Sequence, residues 1–246
     1  QWIGLGLFNS YYLSPVGKFL CIPVLNCYSC PVGVTACPIG TFSAFALARK
    51  IPFYLLGFLG LCAVAVGRAF CGWACPFCLL QDLLYRIPGP KWKLPRAADA
   101  LKYVLLAVLV LALPFVLGGG KMSGSSDRIT GEATGAVDYC STVCPAGTAE
   151  ASIPYLIKDP QVRAAASWRT YGKIAALGII LVLVVVARRG FCRALCPLGA
   201  VMALGSGLSL LRLRTDRDKC TRCMRCVKVC PMNCRRVPHG DATREA

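Results

Sequence analysis

The residues best suited to chemistry in this 246-residue chain are its seventeen cysteines, which stand against a single histidine, His239. Four of them follow the spacing Cys-x2-Cys-x2-Cys-x3-Cys-Pro near the carboxyl end: Cys220, Cys223, Cys226 and Cys230. This spacing is typical of 4Fe–4S binding, in which the first three cysteines hold one cluster and the fourth reaches a neighbouring cluster. Haem is excluded, because a bis-histidine site needs two histidines and the sequence has no Cys-x2-Cys-His. The pattern predicts iron–sulfur chemistry.

A second set of cysteines forms an internal repeat. The pattern Phe-Cys-x3-Cys-Pro occurs twice, and the pattern Cys-Pro-x-Gly-Thr precedes each copy, at Cys37 and Cys144. Two copies of one plan predict parallel repeats related by an axis along the membrane normal. Such an axis brings four cysteines together at the inner face, as ligands of one 4Fe–4S cluster: Cys71, Cys75, Cys192 and Cys196.

The same axis brings Cys37 and Cys144 together at the outer face, where Cys27, Cys30 and Cys140 lie close in sequence. Five thiols exceed a four-ligand site, so one is spare, and Cys27 is the candidate. Disulfides and a four-thiolate zinc site are the alternatives for these cysteines. Four cysteines receive no role: Cys21, Cys62, Cys78 and Cys234.

Only one such run is present. The cluster held by its first three cysteines therefore needs a fourth ligand from elsewhere in the chain. Cys196, itself followed by proline, is the best-placed donor. Cys230 then completes the inner site with Cys71, Cys75 and Cys192. This arrangement and the previous one use the same eight cysteines, and both remain open.

The elements that position these cysteines are apolar. The chain is 56% hydrophobic and 16% charged, with a mean hydropathy of +0.58, which predicts a membrane protein. Three apolar segments, 51–67, 103–117 and 174–187, and a weaker fourth, 2–17, are the predicted spans. We therefore expect an all-α membrane protein with about four transmembrane helices as two parallel repeats, 1–85 and 101–205. Residues 1–211 form this module, and residues 212–246 form a small ferredoxin-type segment.

The net charge of +17 would suggest nucleic acid in a soluble chain, but in an apolar chain it indicates basic cytoplasmic loops. Residues 68–102 and 188–246 are rich in Lys and Arg, so both termini are predicted on the cytoplasmic side of the inner membrane. Segments 21–50 and 118–173 then face the other compartment. Gln1 stands where a start methionine would be, so we expect that some N-terminal sequence is missing.

These motifs resemble the membrane polyferredoxins of the NapH and NosR type. The resemblance is carried by Phe70 to Pro76, by Arg188 to Ala200 and by the run after them. It implies a four-helix-type membrane module with cytoplasmic 4Fe–4S clusters, associated with quinol oxidation and electron supply to extracytoplasmic reductases. The chain departs from the NapH type by having one run instead of two and by its outer cysteines. The segment Thr130 to Thr134 only faintly resembles a flavinylation signal, so flavin is not expected.

We expect an electron-transfer protein with three 4Fe–4S clusters, within a range of two to four. It would relay electrons across or along the membrane to an extracytoplasmic partner. It would be a subunit of a redox complex rather than a stand-alone enzyme, with other subunits or carriers, membrane lipid and candidate quinone as partners, and no nucleic acid. Two alternatives are a quinol dehydrogenase or membrane anchor subunit, and a redox-sensing or assembly protein.

Overall fold

The computed structural model describes residues 1–211, except 19, 93, 96 and 118–137, together with Thr221 and Cys223. This described part is helical and contains no β-strand. The flavin-like segment lies outside the described residues, and so do four of the cysteines: Cys220, Cys226, Cys230 and Cys234.

The first half of the chain contains six helices: α1 (Trp2–Phe8), α2 (Ser14–Gly17), α3 (Pro38–Leu47), α4 (Phe53–Ala65), α5 (Ala69–Trp73) and α6 (Pro76–Leu84). A continuous helical stretch then joins α7 (Ala98–Leu105), the π-helix π1 (Leu106–Ala112) and α8 (Leu113–Leu117). The remaining elements are α9 (Tyr139–Thr142), α10 (Pro145–Gly147), π2 (Thr148–Ser152), α11 (Ile153–Lys158), α12 (Pro160–Ala164), α13 (Trp168–Val186), α14 (Gly190–Ala194) and α15 (Pro197–Gly205).

Corresponding elements follow one another in the two halves. In each half, a Cys-Pro helix precedes a longer apolar helix, which is followed by a five-residue helix and then by a nine-residue helix that begins with proline. The five-residue helices are α5 and α14, and the nine-residue helices are α6 and α15. The repeat in the Phe-Cys-x3-Cys-Pro spacing is therefore accompanied by a repeat in the order and length of these last two helices.

Among the described residues, two helices are long and apolar enough to cross a membrane: Ala98–Val116 and Trp168–Val186, of 19 residues each. At ~1.5 Å per residue, each is about 28 Å long, close to the thickness of a hydrocarbon core. They contain two of the predicted spans. The predicted span 51–67 is the shorter apolar helix α4, of 13 residues.

The predicted span 2–17 is wrong, because the helix that begins at Trp2 ends at Phe8. The carbonyl of Phe8 accepts hydrogen bonds from the Asn26 side chain (2.8 Å) and from the backbone N–H of Val34 (3.0 Å). These bonds hold the end of α1 against the cysteine-bearing loop, and the chain continues through turns to the four-residue helix α2.

The segment between Cys37 and Cys71 contains two helices where the sequence predicted a single span. Helix α3 ends in a turn in which Arg49 is left-handed (φ 53°) and the N–H of Lys50 bonds to the carbonyl of Phe45 (3.0 Å). Helix α4 then packs against α3. This hairpin returns the chain toward Cys37, so the cysteines at both ends of the segment lie in one region of the molecule.

Helix α15 packs against α3, α4 and α7, while α13 packs against α6, α9, π2 and α14. The elements meet around one buried cluster of side chains, which contains several thiols beside aromatic and aliphatic groups. Phe77 and Phe191 pack edge to face within this cluster, with ring centroids 5.0 Å apart. The core of the fold and the region of the cysteines are therefore the same place.

Candidate metal centres

Each Cys-Pro motif begins a helix. Four cysteines occupy the N-cap position with extended backbone angles, and proline follows inside the first turn: Cys37, Cys75, Cys144 and Cys196. Proline suits this position because its missing N–H would have no helical partner there. The N–H groups of Gly147 and Gly199 donate to the sulfurs of Cys144 and Cys196, both at 3.4 Å. The helix end thus presents N–H donors and positive potential to the sulfur, as a thiolate requires.

Five thiols line one cavity between the two halves of the chain: Cys71, Cys75, Cys78, Cys192 and Cys196. We call this set the first thiol group. It contains all four cysteines predicted for the inner site, and it adds Cys78, whose Sγ lies 3.3 Å from the Sγ of Cys192. The Gln81 side chain donates to the same Cys192 sulfur at 2.9 Å.

Sequence reasoning gave no role to Cys78, although a signal for it was present. The Cys-Pro-x-Gly pattern occurs in three of the four motifs, and the fourth reads Cys75-Pro-Phe-Cys78. A thiol in place of glycine was the clue. A hydrogen bond from Cys78 lowers the pKa of Cys75, against a burial effect that raises it.

Cationic side chains approach the first thiol group from the side of α5 and α14. Arg68 lines the cavity, and its Nε atom is buried without a hydrogen-bond partner in the described part of the chain. Arg189 interacts electrostatically with Cys78 and Cys192 and is fixed by Asp82 through two hydrogen bonds, of 2.9 and 2.7 Å. Arg193 pairs with Asp99 at 3.0 Å.

The second thiol group comprises Cys27, Cys37, Cys140 and Cys144. The sulfurs of Cys27 and Cys144 lie 3.8 and 3.6 Å from the position that a Cβ would take on Gly147. Cys140 is close enough to both Cys27 and Cys37 to raise their thiol pKa values, and burial raises them more, to about 12 each.

Cys30 lies beside Cys27, and its N–H bonds to the Cys27 carbonyl at 3.0 Å. All five predicted outer cysteines therefore occupy this region, but Cys27, the predicted spare thiol, lies among the others.

Two buried charged groups accompany the second thiol group. Glu150 accepts a hydrogen bond from the backbone N–H of Cys27 at 2.9 Å, and burial raises the pKa of Glu150 to about 7. Lys173, which is 2% exposed, interacts electrostatically with the thiols of Cys144, Cys140 and Cys27. A buried ammonium group beside several thiols suits a site whose sulfurs carry negative charge.

The two thiol groups are neighbours. The backbone N–H of Leu25 bonds to the Cys75 sulfur, and Cys27, two residues along the chain, belongs to the second group. Two residues span at most ~7 Å. The fully buried Tyr139 precedes Cys140, and its hydroxyl lies 3.5 Å from the carbonyl of Leu195, the residue before Cys196.

This arrangement corrects the prediction that inner and outer cysteines occupy opposite faces of the membrane. The prediction took the segment between the motifs as one span, whereas the hairpin of α3 and α4 returns the chain to its starting end. Both groups consequently lie in one core.

The described residues fit an iron–sulfur cluster better than the alternatives. No disulfide joins cysteines within the described ranges. In the same part of the chain, no group of three or more Cys, His, Asp or Glu side chains is arranged to hold a single metal ion. The orphaned Nε of Arg68 and the amide of Gln81 both suit an anionic, sulfur-rich occupant of the cavity.

Comparison with known proteins agrees with this chemistry. Residues 51–95 and 170–215 each match a family described as a 4Fe–4S binding domain, and residues 213–236 match a second family with the same description. The first family thus matches once in each half and includes both Phe-Cys-x3-Cys-Pro motifs. Three segments of the chain thus match 4Fe–4S binding domains.

Among individual relatives, the ferredoxin-type protein NapH of Escherichia coli is 27% identical over 172 residues, covering 70% of this chain and 50% of NapH. The regulatory protein NosR of Pseudomonas aeruginosa is 28% identical over 210 residues, covering 81% of this chain and 25% of NosR. An uncharacterized protein of Methanocaldococcus jannaschii is 27% identical over 180 residues, covering 69% of this chain and 54% of that protein.

The resemblance to the NapH and NosR type is thereby confirmed, and the 4Fe–4S domains together with the ferredoxin-type relative support iron–sulfur electron transfer. The chain spans about half the length of the curated relatives it matches, between 41% and 60% for three of them. No solved structure matches the chain significantly.

Proposed function

We propose that this chain is a membrane electron-transfer subunit in which each thiol group holds a 4Fe–4S cluster and the ferredoxin-type run holds a third. When bound, such clusters accept and release single electrons. The proposed ligands are the four predicted cysteines of the first thiol group, the cysteines of the second thiol group with Cys30 as its fifth thiol, and the run at the carboxyl end. The four in the first thiol group are Cys71, Cys75, Cys192 and Cys196, and the run comprises Cys220, Cys223, Cys226 and Cys230.

The observation that carries this proposal is the adjacency of the two thiol groups in one buried core. A redox sensor or an assembly factor needs one site, whereas two adjacent sites suit throughput. The backbone from Leu25 to Cys27 and the buried Tyr139 side chain connect the groups. The protein surrounds both groups with N–H donors, arginines and a buried lysine, which tune sulfur ligands through charge and hydrogen bonding.

We place the chain in the cytoplasmic membrane with the ferredoxin-type segment on the cytoplasmic side. Helices Ala98–Val116 and Trp168–Val186 support membrane insertion, and the positive-inside rule supports the orientation. Because the two thiol groups are neighbours, they form one section of a relay, and the run at the carboxyl end would extend it toward a cytoplasmic or quinone donor or acceptor. The partners would be carriers or subunits of a membrane redox complex.

The test is iron and acid-labile sulfide per chain, combined with an EPR redox titration, on the wild type and a Cys144→Ala variant. We expect the variant to lose one EPR signal and the iron of one cluster, because Cys144 belongs to the second thiol group. Cys62→Ala is the matched control, since Cys62 lies on α4 outside both groups. Unchanged iron and spectra in Cys144→Ala would refute a cluster in the second group.

A further inference from the structure

The first thiol group holds a cysteine that the internal repeat does not explain. In the three other Cys-Pro motifs, at Gly40, Gly147 and Gly199, the glycine N–H bonds to the cap sulfur, and glycine supplies a backbone donor and no side chain. Cys78 keeps this backbone role, because its own N–H also bonds to the Cys75 sulfur. A Cβ on Gly199 would meet the carbonyl oxygen of Cys192 at 3.1 Å, so that position has little room for a side chain. The thiol of Cys78 is therefore an addition to the motif in the first half.

The Cys78 thiol lies beside the sulfur atoms of two other cysteines. Its Sγ lies 3.3 Å from the Sγ of Cys192 and bonds to the Sγ of Cys75, and the residue is 1% exposed. A free cysteine that merely fills space behaves as a small hydrophobe and packs against carbon. Here the thiol faces the same cavity as the other members of the first thiol group.

The spacing to its neighbour also suits metal ligation. Cys75 and Cys78 are separated by two residues, as are successive cysteines of the run that begins at Cys220. In that run, the spacing lets neighbouring sulfurs bind one cluster. In the first thiol group, the first turn of α6 places two such sulfurs at one side of the cavity.

We propose that Cys78 is a ligand of the iron–sulfur cluster in the first thiol group, an inference that rests on the proposed function. The cavity then offers five thiolates where a 4Fe–4S cluster takes four. One of the other four thiols of the group is then not needed for this cluster.

The experiment compares wild type with Cys78→Gly, which gives the first half the same Cys-Pro-x-Gly motif as the other three. We expect Cys78→Gly to lose the EPR signal of one cluster and the matching iron and sulfide, with the other signals retained. Cys78→Ser, which keeps an oxygen ligand, should keep the iron but shift the signal and its reduction potential. Cys62→Ala controls for removal of a thiol elsewhere.

Iron, sulfide and spectra that are unchanged in both Cys78 variants would overturn the proposal and leave the proposed function intact. Wild-type protein without iron and sulfide would instead refute the proposed function. A thermal unfolding curve of each variant shows that it is folded. If Cys78→Gly does not fold, the EPR signal of Cys78→Ser decides: a shifted signal supports the proposal, and an unshifted signal overturns it.

Discussion

Gln81 provides the sharpest test of how this core tunes its sulfurs. Its side chain is fully buried on α6, and its Nε2 donates to the Cys192 sulfur at 2.9 Å. Its Oε1 is buried without a partner among the described residues. Burying an amide oxygen without a partner destabilises the fold. Because the amide nitrogen donates to a sulfur, this burial indicates that Gln81 acts on the Cys192 sulfur.

We predict that Gln81→Leu lowers the reduction potential of the cluster held by the first thiol group. Reduction adds negative charge to the sulfurs, so the hydrogen bond is stronger in the reduced form and its loss disfavours reduction. A hydrogen bond to a charged group contributes about 1.5–3 kcal/mol. If about 1 kcal/mol of this differs between the two redox states, the shift is about 40 mV, since 59 mV corresponds to a tenfold change for one electron.

The assay is an EPR-monitored redox titration, with iron per chain measured on the same samples. Gln161→Leu is the matched control, because it makes the same substitution at an exposed position on α12. The leucine also removes the unpartnered Oε1, so the stability of the metal-free protein should not fall. A potential that is unchanged, or that moves upward, at full iron content would refute the reasoning.

Two further predictions concern stability. Burial acts to raise the pKa of Asp82, but its hydrogen bonds to Arg189 outweigh this and hold the pKa below its usual value. The pair therefore stabilises the fold above about pH 4 and loses this effect as the pH falls through the lowered pKa. At pH 7, Asp82→Asn should lower the free energy of unfolding by about 2 kcal/mol, a value reduced to allow for the partial exposure of Asp82. The difference from wild type should become smaller in acid. Thermal unfolding in detergent at several pH values measures it. A Cβ on Gly205 would overlap that of Ala63 where α15 crosses α4, so Gly205→Ala should cost about 1–3 kcal/mol. A Cβ on Gly60 in α4 would meet no atom within 4 Å, so Gly60→Ala should instead raise the free energy of unfolding by up to ~1 kcal/mol. Equal denaturation midpoints for the two glycine variants would contradict the packing argument.

Local signals in the sequence were sufficient for several features of the fold. Proline after cysteine was a further signal, which our predictions did not use for the helix starts; proline is tolerated in the first turn, and the residue before it favours extended backbone. Apolar stretches marked the two long helices. The same signals failed at residues 2–17, because Asn26 and Val34, distant in sequence, bind the end of α1 at Phe8.

The composition of the sites was likewise readable, since cysteine spacing and the repeat are properties of the chain alone. The motif with Cys78 in place of glycine was visible but uninterpretable, because its meaning depends on where Cys192 lies. The same holds for Gln81, a common residue on an amphipathic helix until a buried sulfur is placed beside it.

The sequence by itself determined the chemistry of this protein: iron–sulfur ligation, a helical apolar chain and two halves built on one plan. Tertiary structure alone decided the placement of the two thiol groups. A turn at Arg49 and the packing of α4 on α3 bring the ends of the first repeat together, and the extended segment from Leu25 to Cys27 joins the groups. These contacts link residues far apart in the chain, so no local pattern could distinguish two thiol groups on opposite faces from two thiol groups side by side.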